Sequence, residues 1–244
     1  MRLAIISDIH SNLEALEAVF EDLRCQDIDK VYCTGDLVGY AANPNEVINL
    51  LQQERVKCVM GNHDFACINT SGIRKMVGNA REAIDYTKKV ITANHLSFLN
   101  NLPFHINENG IYLTHGLPPA LFDEYINMQS AYALKNAFAS FHEQIAFVGH
   151  THLFEVVELK EHGKICKYEL ANDGLYLSPT SRYIISAGSI GQPRADNREA
   201  GYLIYYTDNH KVIKRTFQYP VEITIQKIIA AGLPKGNGER LRKY

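Results

Sequence analysis

Five short polar clusters carry the side chains that could do chemistry: Asp8-Ile9-His10, Gly35-Asp36, Gly61-Asn62-His63-Asp64, His115-Gly116 and Gly149-His150-Thr151-His152. Taken singly, each reads as a turn, because a lone histidine after a strand is an ordinary surface or core residue. Five in succession, each directly after an apolar run, point to a metal site. The donors are two carboxylates (Asp8, Asp36), one amide (Asn62) and four imidazoles (His10, His115, His150, His152), with no thiolate. That set argues against a closed structural zinc site and toward Mn²⁺, Fe, Zn²⁺ or Ni²⁺ with open positions. It is also more than one ion can use, whereas two ions about 3.5–4 Å apart, bridged by a central carboxylate, would use it all. Such a pair lowers the pKa of a bridging water and neutralises phosphoryl oxygens, so the implied reaction is phosphoester hydrolysis by a metal-activated hydroxide.

The elements that must position these residues follow from the apolar runs. Residues 3–7, 31–34, 56–60, 111–114 and 145–148 are short and continuously apolar, as strands buried on both faces are. Between the first of them lie amphipathic helices: Leu13, Leu16, Val19, Phe20 and Leu23 share one face behind a capping box of Ser11 and Glu14, and residues 44–53 begin with Pro44. Alternating strands and helices make an α/β sheet, and ligands of such sheets bind beyond the carboxyl ends of the strands, where all five clusters would converge. The i, i+2 spacing of Asp8/His10 and His150/His152 predicts side chains on one side of an extended segment. Residues 67–105 read as mainly helical, chiefly 78–92 and 95–101, and 130–142 as another helix. Strands at 154–159, 164–170, 183–186, 201–207 and 212–217 predict a second, largely antiparallel sheet packed on the first, with a hairpin turn at 208–211. Residues 1–219 are expected to form one domain, and 220–244 a helical tail packed on it, whose basic end (235–243) reads as a solvated face.

Composition narrows the function classes. The chain has 244 residues, 46% of them hydrophobic and 21% charged, as in a globular protein. Its net charge is −2, so no global positive field holds long nucleic acid or an anionic membrane. The apolar start is too short for a signal-peptide core, and no run is long enough to span a membrane. Five scattered cysteines without a C-x-x-C pair read as buried free thiols in a reducing compartment, which predicts a cytoplasmic protein.

The motif order Asp-x-His, Gly-Asp, Gly-Asn-His-Asp, His-Gly, Gly-His-x-His resembles the calcineurin-like metallophosphoesterase superfamily. Within it the chain is similar to the small bacterial and archaeal predicted phosphodiesterases, through Gly188-Ser189-Ile190-Gly191-Gln192-Pro193-Arg194 and Ala230-Ala231-Gly232-Leu233-Pro234. The resemblance implies an α/β fold, a four-layer α/β/β/α sandwich of two mixed sheets flanked by helices. It implies that Asp8, His10 and His152 hold one ion, that Asn62, His115 and His150 hold the other, and that Asp36 bridges them, with Mn²⁺ the favoured metal. His63 would stand by the leaving-group oxygen as general acid or transition-state stabiliser, and Arg194 could clamp a phosphate. Tyr40, Asn43 and Phe65 follow the ligand turns and are candidates for the substrate mouth. Two departures matter. Gly39 stands where the protein phosphatases of the superfamily carry the Asp that orients the catalytic His, leaving Asp64 or substrate to orient His63. Ser11 replaces a frequent Gly and is expected to act as a helix N-cap.

The expected function is therefore metal-dependent hydrolysis of a small phosphodiester or related phosphoester, with a small phosphoester or nucleotide as partner. One alternative is a dinucleoside polyphosphate hydrolase of the diadenosine tetraphosphate type, built on the same dinuclear centre and separated from the first reading by the pocket beyond the metals, expected to be built from residues 65–107 and 117–130. Another is a scaffold that keeps the fold with an impaired site, which the complete donor set and His63 argue against. The sequence leaves the physiological substrate and the oligomeric state open.

Overall fold

The computed structural model describes residues 1–194 and 199–242. Its strands, in chain order, are β1 (Arg2–Ile6), β2 (Lys30–Cys33), β3 (Lys57–Cys58), β4 (His105–Glu108), β5 (Ile111–Thr114), β6 (Ile145–Val148), β7 (Glu155–Leu159), β8 (Ile165–Glu169), β9 (Leu175–Tyr176), β10 (Arg182–Ser186), β11 (Gly201–Tyr206) and β12 (Lys211–Thr216). Its helices are α1 (Leu13–Leu23), α2 (Pro44–Gln53), α3 (Asn62–Ile68), α4 (Thr70–Lys75), α5 (Gly78–Val90), α6 (Ala93–Asn100), α7 (Ala131–Ala139), α8 (Val221–Ala230) and α9 (Lys235–Glu239). The strands form two six-stranded sheets, β3-β2-β1-β11-β12-β9 and β4-β5-β6-β10-β7-β8.

Side-chain alternation along the strands builds the layers. On β1, Leu3 and Ile5 face the other sheet while Ala4 and Ile6 face the helices. On β6, Ile145 and Phe147 join that same inter-sheet core, and Ala146 and Val148 turn to α7. Helices thus cover both outer faces: α1, α2, α3 and α6 over the first sheet, α7 over the second. The fold is the expected four-layer sandwich of two mixed sheets. Both sheets are mixed because parallel β3-β2-β1 and β5-β6-β10 are each extended by antiparallel strands.

Three local expectations are corrected. The strands of the second half do not make a sheet of their own: β11 pairs antiparallel with β1, carrying β12 and β9 into the first sheet. Ser11 is not the cap of α1. Asn12 is, its side chain accepting from the Ala15 N–H at 3.2 Å, while the Ser11 hydroxyl accepts from Gly39 N–H. Of the five free cysteines, Cys33, Cys58 and Cys67 are buried, but Cys25 is exposed. The last helices dock near the start of the chain. Thr224 donates to Glu14 at 2.8 Å and Lys227 pairs with the same carboxylate, so α8 lies along α1. Among the described residues, no helix is long and apolar enough to cross a membrane.

Candidate metal centre

The five clusters meet at one end of the two sheets. Backbone bonds zip the loops after β1 and β2 together: Asp8 N–H to Gly35 O, His10 N–H to Asp36 O and Ser11 N–H to Leu37 O, at 3.1, 3.0 and 2.9 Å. Gly149 N–H to His115 O, at 2.8 Å, joins the loops of the second sheet, and His150 N–H donates to Asp8 Oδ2 across the two sheets at 3.1 Å. Gly61 makes a close approach possible, since a Cβ there would sit 2.1 Å from Asp36 Oδ1.

The expected extended geometry for the paired ligands is not what the chain adopts. Asp8, His10, Ser11, Asp36, His150 and His152 all take left-handed backbone, with φ between +52° and +68°. That conformation is unfavourable for residues with a Cβ, and its concentration at one place in the fold marks a site where geometry is held against local preference.

Three imidazoles are oriented identically. The Nδ1 atoms of His10, His115 and His152 face the backbone carbonyls of Val38, Thr34 and Gln192. With the proton assigned to Nδ1, each Nε2 presents a lone pair inward, which is how protein carbonyls prepare histidines for metal. The inward atoms are crowded: His152 Nε2 lies 3.1 Å from Asp8 Oδ1, His10 Nε2 3.7 Å from both Asp8 Oδ1 and Asp36 Oδ2, and His115 Nε2 3.4 Å from Asp36 Oδ2 and 3.0 Å from Asn62 Oδ1. Among the described residues, Asp8 Oδ1 and His150 Nε2 find no hydrogen-bond partner, though both are buried. Two buried lone-pair donors without a partner, a carboxylate oxygen and an imidazole nitrogen, are what a cation would satisfy. Two groups of donors, Asp8–His10–His152 and Asp36–His115–His150, each bring one ligand atom per residue within 4.8 Å of the others, and a third, His10–Asp36–His63, lies between them. The residues fit a metal centre.

Electrostatics agree. Burial disfavours ionisation of Asp8 and Asp36, yet the imidazoles around them, His152 for Asp8 and His115 for Asp36, hold both carboxyls well below the usual range. His115 is pulled down by burial but raised more by Asp36, to about 9, while burial drives His150 down to about 3.

The candidate orienter of His63 is corrected. Asp64 accepts from the backbone N–H groups of Leu37, Val38 and Gly61 at 2.9, 3.2 and 3.0 Å, tying the Asp36 loop to the start of α3. His63 Nδ1 is buried without a partner among the described residues, against Gly39, where a Cβ would approach it to 2.3 Å. Packing alone sets the ring, between His10 at 4.7 Å and Tyr40 at 4.8 Å. Asp64→Ala is therefore expected to destabilise the metal-free protein by about 2 kcal/mol at pH 5.5, because three buried donors lose their acceptor. Burial and the nearby Asp36 raise the Asp64 pKa to about 7, above the unfolded value near 4. The folded state thus holds the proton longer, and the gap between wild type and variant should narrow as pH rises from 4 through 7. Urea unfolding at both ends of that window checks it, and a gap that widened with pH would reject the assignment.

A cavity of about 630 Å³ opens over the donors. Its lining includes His63, Arg194, Tyr40 and Phe65, as the sequence suggested, but Asn43 is not part of it. The stretch 117–130, expected to help build the pocket, supplies two residues not singled out from the sequence: Tyr125, which stacks on His150 (4.0 Å, 23°) and lies against Arg194, and Phe122, packed on Phe65 and Phe104. The sequence reading missed Asn237 and Arg240, so the basic tail is not simply a solvated face. No local signal marked these residues, which come from loops and a terminus whose placement is set by long-range packing.

Comparison with known proteins fits the same frame. The family described as the calcineurin-like phosphoesterase superfamily domain matches residues 1–210. An uncharacterized protein of Methanocaldococcus jannaschii is 35% identical over 98% of this chain and 96% of its own length. Among solved structures, a metallophosphoesterase from Sphaerobacter thermophilus superimposes with a TM-score of 0.84 at 33% identity, covering 99% of this chain and 98% of that one. A hypothetical protein from Pyrococcus horikoshii, 20% identical, has the same fold, with a TM-score of 0.79 over 98% of this chain and 97% of that one. The chain belongs to the calcineurin-like phosphoesterase superfamily. It is by class a phosphoester hydrolase.

Proposed function

We propose that the protein is a metal-dependent phosphodiesterase acting on a small diester through a dinuclear centre. The observation that carries this reading is the pair of donor groups, Asp8–His10–His152 and Asp36–His115–His150, with Asp36 facing both. In it, Asp8, His10 and His152 would hold one ion and Asn62, His115 and His150 the other, with Asp36, which faces both groups, serving as the shared ligand. Mn²⁺ suits the mixed oxygen and imidazole donors. When bound, two such ions would supply a hydroxide near neutral pH and neutralise charge on the phosphoryl oxygens.

The chain's own residues do the rest. Arg194, half-buried and lining the cavity with His150 and His152, presents a guanidinium to a phosphoryl oxygen. Tyr125 holds both His150 and that guanidinium in place. His63, with its pKa lowered by burial to about 4, is a neutral imidazole whose ring can donate to the leaving oxygen. The preference for a diester comes from the cavity wall: Phe65, Phe122, Met76 and Val77 offer apolar surface that an ester arm covers and a bare phosphate does not. A reducing cytoplasm suits the five free cysteines.

The test is to strip the protein with chelator and assay it with Mn²⁺ against bis(4-nitrophenyl) phosphate and 4-nitrophenyl phosphate. Restored hydrolysis with kcat/KM higher for the diester is the expected result. Preference for the monoester would move the function to a phosphatase on the same site. Folded protein inactive on both with every divalent metal would overturn the reading.

A further inference from the structure

The aromatic end of the cavity is built into the ligand loops. Phe65 follows Asn62 and His63 on α3. Asn62 and Phe65, three residues apart, share one side of that helix, so their Cβ atoms stand about 5–6 Å apart. Phe104 is held at the ends of two strands: Pro103 O accepts from Met60 N–H at 2.8 Å, and Phe104 O accepts from the Thr114 hydroxyl at 3.2 Å, one residue before His115. Phe122 follows the turn that Leu117 and Leu121 close with a pair of backbone bonds, at 3.1 and 2.8 Å.

The three rings make one wall. Their centroids are 5.1 Å apart for Phe65 and Phe122, 5.5 Å for Phe104 and Phe122, and 6.3 Å for Phe65 and Phe104. Distances so nearly equal put Phe65 and Phe104 on the same side of Phe122. The planes of Phe104 and Phe122 are stacked, 13° apart. Phe65 and Phe122 line the cavity, and Phe104 does not. Phe122 therefore has Phe104 behind it and the cavity before it, and neither of the other two rings covers its far side. Asp123, the next residue, pairs with Lys75 on the same rim, which neutralises the carboxylate beside the rings.

Aliphatic side chains at these positions would offer apolar surface to an ester arm of any shape. A ring backed by a parallel ring, with room on its open side, discriminates further. A third planar ring extends the stack, whereas a puckered ring of equal size cannot lie flat on it. We propose that this wall is a subsite for a planar aromatic group, so that the substrate class is a phosphodiester with one aromatic arm, joined by a short link to the scissile phosphate and stacked on Phe122. The short link follows from the single helical turn between the Asn62 donor and Phe65. This rests on the phosphodiesterase reading above and narrows it.

The matched probes are benzyl methyl phosphate and cyclohexylmethyl methyl phosphate, which carry the same charge and the same number of carbons and differ in the flatness of one ring. In calorimetric titration of the Mn²⁺-loaded protein, the benzyl ester should bind about fivefold tighter, although the cyclohexyl ring is the more apolar. Phe122→Leu should bring the two affinities within about twofold of each other, and Phe122→Tyr, which keeps a ring there, should preserve the gap. Both esters should inhibit hydrolysis of bis(4-nitrophenyl) phosphate, with inhibition constants in the same ratio. A wild type that cleaves the aryl diester but binds the two probes equally, or binds neither, overturns the aromatic subsite and leaves the diesterase standing. A Phe122→Leu variant that binds both probes more weakly by the same factor makes the residue structural and also overturns the subsite. If the aryl diester is not cleaved, the parent reading fails, and the titration by itself decides whether the wall selects a planar ring.

Discussion

Asp36→Ala is expected to lower kcat/KM on the order of 10⁴-fold and to reduce bound metal from two ions per chain to one or none. Among the described residues, no other carboxylate faces imidazole nitrogens of both donor groups so closely: Asp36 Oδ2 lies 3.7 Å from His10 Nε2 on one side and 3.4 Å from His115 Nε2 on the other. Its Oδ1 meanwhile accepts from His63 N–H at 2.8 Å, so the same side chain fixes where α3 begins. In the proposed centre, removal would take away a shared ligand and leave the imidazoles of both groups facing each other without the negative charge between them. Asp36→Asn separates these contributions. Its amide oxygen can still accept from His63, so fold and ring position should persist, but the lost charge should still cost metal and most of the rate. Elemental analysis of gel-filtered protein, alongside kcat/KM on the aryl diester, measures both. Two ions retained in Asp36→Ala, with activity within tenfold of wild type, would be incompatible with a bridging role.

What the sequence made legible and what it hid have distinct physical causes. Each ligand cluster follows an apolar run, and the carboxyl ends of neighbouring strands in such a sheet open into one crevice, so the meeting of residues 8, 36, 62, 115 and 150 could be read without coordinates. The runs at 111–114 and 145–148 coincide with β5 and β6 because continuous burial leaves no ambiguity of register. By contrast, β4 and β9 are short, at sheet edges, and partly exposed, so their pattern is weak. The antiparallel docking of β11 on β1 joins residues about as far apart in the chain as it allows, and no local periodicity encodes it. The left-handed backbone at Asp8, His10, His150 and His152 was hidden for another reason: the residue types favour other conformations, and the zipped loops impose this one. The cavity wall was the least legible part. Tyr125, Phe122 and Arg240 reach it from a loop and a tail, and what places them is packing such as Leu241 among Ile225 and Ile228.

His63→Ala should leave both ions bound and still lower kcat/KM at least about 100-fold. Metal content is spared because what His63 contributes to the Asp36 ligand is a backbone N–H, which alanine keeps. The side chain has a different task. Its Nδ1 is shut against Gly39 with no partner among the described residues, and the nearby Asp36 carboxylate, which favours a positive ring, is outweighed by burial. Burial lowers its pKa to about 4, so the imidazole is neutral throughout the physiological range. A neutral ring donates a hydrogen bond to charge building on the leaving oxygen, and the worth of that bond rises with the basicity of the leaving group. The loss in His63→Ala should accordingly be larger for 4-nitrophenyl ethyl phosphate analogues with a phenol or alkanol leaving group than for the 4-nitrophenyl ester itself. It should also be the same from pH 6 to pH 8, since nothing on His63 titrates there. An imidazolium acting as general acid predicts the opposite pH behaviour, with a loss that grows as pH falls and fades above the titration of the ring. The pH profile of the variant, set against wild type with two leaving groups, separates the two roles of this histidine.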